Sequence, residues 1–182
     1  MGGRAREMRR LCAQLSTSLE LPVPADPARL FEELAATLSA QRQRELRLRF
    51  VAFPPGTASG IWADRGDHDL IAVEEAAAPQ HQLVILGHEI WHMHAGHGAG
   101  HAGASSAARS VTEEGDLQEV IVRAAARTDF ADKEERAAEL FGIMLGAELR
   151  PWLEGHPGGA APEGLAGRLQ ASLGRHGVQG RR

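Results

Sequence analysis

Tyrosine is absent from all 182 residues, cysteine occurs once and lysine once. Each scarcity removes a class of chemistry. Without tyrosine there is no phenol to stabilise an oxyanion, so any such task falls to His, Arg or backbone N–H groups. Cys12 alone permits no internal disulfide and no cysteine-rich metal cluster, and it fits a reducing cytosol. With Lys133 the only lysine among 20 basic residues, the chain has the Arg, Ala and Gly bias of a GC-rich bacterial genome. No apolar run reaches membrane-spanning length, and Met1-Gly2-Gly3-Arg4-Ala5-Arg6-Glu7 lacks the apolar core of a signal peptide. The expected location is therefore cytoplasmic, with no membrane partner. A net charge of −4 gives no reason to expect nucleic acid as a partner.

What is present is ordinary globular material: 43% hydrophobic and 24% charged residues, enough for one domain with a sizeable core. Met8, Leu11, Cys12, Leu15 and Leu19 form one stripe of a helix expected from about Arg4 to Leu21. Asp26 can cap a second helix with Pro27 at its first position, running to about Gln43. Leu46–Phe53 alternates like a half-buried strand, and Gly60–Asp64 and Leu70–Glu74 follow as short strands, expected to be antiparallel. A helix from about Pro79 to Ala95 comes next. Gly96 to Ser110 reads as a loop, and helices are expected at Asp116–Arg127 and, capped by Asp132, to about Leu149. The fold class is thus α+β: N-terminal helices, a small three-stranded antiparallel sheet, a central motif helix and C-terminal helices. Residues 1–150 form the expected domain, and 151–182 a Gly/Pro-rich flexible tail with one weak helix near Glu163–Leu173.

The central helix carries His88-Glu89-Ile90-Trp91-His92 inside an apolar run of Leu83, Ile85, Leu86, Ile90 and Met93. Residues four apart share a helix face, with Cβ atoms roughly 5–6 Å apart. Two such imidazoles can reach one tetrahedral Zn2+ at about 2.0–2.1 Å each. Glu89 projects from an adjacent face, where it can serve as general base toward a metal-activated water without being a ligand. Two His and a Glu in an apolar helix are costly without a shared partner.

A catalytic zinc takes three protein ligands. The long motif H-E-x-x-H-x-x-G-x-x-H fails, because Ala95 and Gly98 occupy its glycine and third-histidine positions. A carboxylate from Glu134-Glu135-Arg136-Ala137-Ala138-Glu139 is the alternative. Helical projection leaves Glu134 nearer the centre of the apolar stripe than Glu135, so Glu134, Glu135 and Glu139 all stay open. His97 and His101 are also four apart, but Gly98 and Gly100 argue against a second metal site on a continuing helix. His94 belongs with them as a possible member of such a second site, and a loop histidine near the zinc is a candidate for polarising a carbonyl. His68, His81, His156 and His176 read as surface residues, and Trp62 as sheet packing.

From Leu46 to Leu149 the chain resembles the ImmA/IrrE-like zinc metallopeptidases, small proteins of the thermolysin-like gluzincin type. The likeness rests on the three strands, His88-Glu89-Ile90-Trp91-His92, the trailing Ala95-Gly96-His97 and the Glu-rich helix with Phe141. Arg127-Thr128-Asp129-Phe130 is similar to a bacterial branch described as the toxin component of a toxin–antitoxin system. The resemblance implies a zincin-like fold and a cytosolic metallo-endopeptidase acting on a protein partner such as a repressor or antitoxin, a helix-turn-helix protein among them. It implies His88, His92 and Glu135 as zinc ligands, Glu89 as base, and Glu139 as a second acidic group orienting a His. Two positions depart from the pattern: Ala137 stands where a second Glu is usual, and Trp91 where Gly is often found. A non-catalytic zinc-containing regulatory protein, or a toxin component that only binds its antitoxin, is the alternative function.

Overall fold

The computed structural model describes residues 2–96 and 132–155. Its elements are α1 (Gly2–Thr17), α2 (Pro27–Arg42), β1 (Leu46–Val51), β2 (Gly60–Asp64), β3 (Asp69–Glu74), α3 (Pro79–Ala95) and α4 (Asp132–Glu154). The expected helix at Asp116–Arg127, the loop after Gly96 and the tail beyond Gly155 lie outside the described residues. The architecture is α+β, as expected, with helices packed around one small sheet. Among the described residues no helix is long and apolar enough to cross a membrane.

The helices start and stop for local reasons. α1 buries Met8, Leu11, Cys12 and Leu15 but ends at Thr17, short of Leu21. There the hydroxyls of Ser16, Thr17 and Ser18 donate back to the carbonyls of Ala13 and Gln14 and compete with the helical ladder. α2 begins as expected: the Asp26 carboxylate accepts from the Ala28 and Arg29 N–H groups, with Pro27 in the first turn. α4 corrects the expected stop at Leu149. It continues through Pro151, which offers no N–H, to Glu154. The last turn holds because Trp152 and Leu153 pack against the core. Its carbonyls are also taken up, that of Trp152 by Ala25 N–H at 2.7 Å and that of Pro151 by Gly155 N–H at 2.8 Å. The first four residues of the expected tail therefore belong to a helix of the domain.

The sheet is mixed, not antiparallel, with strand order β1-β3-β2. β1 runs parallel to β3 from Leu46↔Asp69 to Val51↔Glu74, and β2 antiparallel from Gly60↔Val73 to Asp64↔Asp69. The cause is burial. Ile71, Ala72 and Val73 are fully buried, so β3 takes the centre, while β1 carries Arg47 and Arg49 at an edge. The tight turn closed by Arg65 N–H to His68 C=O makes β2 and β3 neighbours, with Gly66 at φ 91°. The longer link 52–59, turned by Pro54-Pro55-Gly56, carries the chain past β3 instead of pairing β1 with β2. Asp69, fully buried at the start of β3, accepts from Trp62 Nε1 at 3.0 Å and Arg42 Nε at 3.1 Å, tying the sheet to α2.

α3 and α4 cross at glycines. A Cβ at Gly87 would lie 2.8 Å from Gly142 Cα, and one at Gly142 only 2.4 Å from the Val84 carbonyl oxygen. At Gly146 it would meet Val84 Cγ2 at 2.8 Å. The missing side chains let the two backbones approach closely. Around this seam Leu83, Leu86, Ile90, Phe141, Leu145 and Leu149 form the core beneath the site.

Candidate metal centre

α3 opens with Pro79 in its first turn and closes at Gly96, which adopts φ 70°. Between these limits the middle of the motif helix, from Gln82 to Met93, lies mostly inside the protein, and Glu89 and His92 are buried with its apolar residues. α4 brings Glu135, near its N-terminus, over the two imidazoles.

Three donor groups converge. His88 Nε2 and His92 Nε2 are 2.9 Å apart, Glu135 Oε2 is 3.5 Å from His88 Nε2, and Glu135 Oε1 is 3.3 Å from His92 Nε2. All the ligand atoms lie within 4.8 Å of one another. A tetrahedral ion with bonds of about 2.0–2.1 Å has ligand–ligand edges of roughly 3.3–3.4 Å. The separations of 2.9, 3.3 and 3.5 Å lie near that size, with the two Glu135 distances made by different carboxylate oxygens. Glu135 Oε1 is also buried without a hydrogen-bond partner, which a cation at this position would satisfy. These residues fit a divalent metal ion. Of the three acidic candidates, Glu135 supplies the converging carboxylate; Glu134 and Glu139 do not join the cluster.

The electrostatics agree. Burial lowers the His88 pKa, partly opposed by the Glu139 carboxylate, and so favours the neutral imidazole that binds metal. Burial, reinforced by Glu139 and Glu134, raises the Glu135 pKa. Burial pushes Glu89 up to about 8, although the backbone N–H of Trp62 donates to its carboxyl and opposes the rise, while Glu135 adds to it. Burial disfavours the charged form of each of these groups, a cost that a cation held here would offset. Glu139 is exposed and close enough to act electrostatically on both His88 and Glu135.

The two unusual positions are absorbed by packing. Trp91 does not enter the site: its ring lies buried against Phe141 at 5.3 Å between centroids and against His94 at 5.6 Å. Ala137 is buried in the core beside Ala138. His94 binds Glu7 on α1 at 3.0 Å and so joins α1 to α3. His81 is exposed as expected, whereas the His68 ring is only 12% exposed and bonded to Asp67 at 2.7 Å in the β2–β3 turn. His97, His101, His156, His176 and Arg127–Phe130 lie outside the described residues.

Sequence reasoning missed two contributors because neither acts through a reactive side chain. Trp62 packs the sheet as expected, but its backbone N–H holds Glu89. Gly60 and the glycine seam act by leaving space; the pair Gly142 and Gly146, four apart on one helix face, was the available signal. No family model matches the chain, and no curated protein or solved structure matches it either.

Proposed function

We propose that the chain is a zinc-dependent metallo-endopeptidase of the ImmA/IrrE-like kind, acting in the cytoplasm on a protein partner such as a repressor or antitoxin. The observation that carries the proposal is the convergence of His88, His92 and Glu135 beside the buried carboxyl of Glu89. Two imidazoles and one carboxylate are a donor set suited to catalytic zinc, with a coordination position left for chemistry. When bound, zinc supplies Lewis acidity that makes water a nucleophile near neutral pH and polarises a peptide carbonyl. Glu89 takes up the proton from the attacking water, holds it in a buried position, and delivers it to the leaving amine. The Trp62 N–H keeps the carboxyl in place, and the surrounding apolar residues of α3 limit water access. With no tyrosine in the chain, the oxyanion is left to His, Arg or backbone donors.

The test compares zinc-loaded wild type with Glu89→Gln. Each is incubated with bacterial extract containing small helix-turn-helix proteins, and new protein N-termini are identified by mass spectrometry. Glu89→Gln should hold stoichiometric zinc while cleavage falls at least about 10²-fold, the usual scale for losing a general base. Undiminished cleavage by that variant sinks the assignment. No new termini from fully zinc-loaded wild type favours the binding-only regulatory or toxin reading.

A further inference from the structure

β2 has one paired and one outward edge. Glu74 N–H donates to Ser59 C=O at 2.8 Å, and the register continues as Gly60↔Val73, Ile61↔Ala72 and Trp62↔Ile71. Antiparallel alternation therefore turns the backbone groups of Ile61 and Ala63 toward β3, and those of Gly60 and Trp62 outward. The sheet offers the Trp62 N–H no partner; Glu89 does.

Gly60 makes that approach possible. A Cβ there would stand 2.4 Å from Ile85 Cγ2, 3.0 Å from Glu89 Oε1 and 3.2 Å from Glu89 Cγ. Ile85 and Glu89 are one turn apart on α3, so one face of the helix seats directly on the glycine. Ile85 is buried and β-branched, with little freedom to swing aside. The last torsion of a Glu side chain is broad and roughly two-fold, so burial alone leaves its bearing loose. A donor on one oxygen fixes the bearing of the other.

We propose that Gly60 and the Trp62 amide form a socket that holds the Glu89 carboxyl in register with the metal site, making Gly60 a positioning residue. The proposal rests on Glu89 as proton acceptor for its consequence in catalysis, but the socket itself is a structural claim with its own readout. The Trp62 amide reports it by hydrogen exchange, residue by residue, on the full-length protein.

In wild type the Trp62 amide should be protected. Glu89→Ala should lower its protection about tenfold or more, the scale of one lost hydrogen bond, while Ile61 and Ala63 within the ladder stay unchanged. Glu89→Gln keeps a carbonyl acceptor and should retain the protection, although it abolishes cleavage. Gly60→Ala should lower Trp62 protection and the rate of terminus formation together, with zinc affinity by chelator competition within about twofold of wild type. Equal Trp62 protection in wild type and Glu89→Ala overturns the socket, and that comparison stands even if Gly60→Ala fails to fold. Protection that follows these expectations alongside a cleaving Glu89→Gln protein upholds the socket and removes the catalytic reading instead.

Discussion

The crossing of α3 and α4 sets the candidate metal site, and Gly142→Ala tests this directly. The new Cβ would stand 2.4 Å from the Val84 carbonyl oxygen, a backbone atom that cannot rotate away. Carbon–oxygen contacts relax to roughly 3.3 Å, so α4 must retreat from α3 by about 0.9 Å. Metal sites tolerate ligand displacements of about 0.2 Å. Glu135 lies seven residues before Gly142, two helical turns away on the same face, so it moves with the retreat. Zinc affinity should therefore fall at least about tenfold, even with some recovery by the flexible Glu side chain. Overpacking costs about 1–3 kcal/mol, against about 1 kcal/mol gained when Ala replaces Gly in a helix. The backbone clash favours the upper end, giving a net loss of roughly 1–2 kcal/mol and a Tm lower by about 2–8 °C. Gly3→Ala is the control: a Cβ there meets nothing within 4 Å, so only the favourable propensity term remains. Chelator competition and thermal unfolding read both effects. A Gly142→Ala protein that melts at or above the wild-type temperature with unchanged zinc affinity refutes the reasoning.

Two further expectations concern titration. In the metal-free protein Glu89 has its pKa raised from 4.5 to about 8, chiefly by burial, so the folded state holds a proton that the unfolded state releases. Its contribution is full below pH 4.5 and lost as pH rises to about 8, on the order of a few kcal/mol at most. The raised Glu135 pKa slopes the same way, whereas the lowered His88 pKa opposes it below pH 6.5. Urea unfolding of chelator-treated protein at pH 5 and pH 8 should show wild type losing more stability than Glu89→Gln; parallel losses would contradict it. Cys12 is the other case: burial first, then the Glu148 carboxylate, push its thiol up to about 11. A thiol reagent at pH 8 should label native protein far more slowly than urea-unfolded protein, and rapid native labelling would show that Cys12 is not held in the core.

Where one short segment decides its own shape, the sequence was readable. The stripe of Met8, Leu11, Cys12 and Leu15, the Asp26-Pro27 start of α2, and the Pro79 to Ala95 span of the motif helix all appear as expected. So does the pairing of His88 with His92, because helical spacing alone brings them together. The strand order was not readable. Alternation marks where a strand is, but the centre of the sheet goes to the strand whose two faces are both covered, and that depends on where the helices land. The end of α4 was misjudged for a similar reason: the local signal at Pro151 is overridden by tertiary contacts of Trp152.

The third member of the candidate metal cluster shows most clearly what local pattern omits. Projection from the apolar stripe placed Glu134 nearer the core than Glu135, yet Glu135 is the residue that meets the histidines. Apolar side chains were the wrong phase marker, because the closest approach of α4 to α3 is made where side chains are missing. Measured from Gly142 at 3.6 residues per turn, Glu135 is only about 20° out of line, Glu139 about 60° and Glu134 about 80°. The glycine line therefore turns Glu135 toward the histidines and leaves Glu139 beside it, near enough to act on His88 and Glu135. A hydrophobic count gives glycine almost no weight, although here it fixes the rotation of the helix that completes the candidate metal cluster.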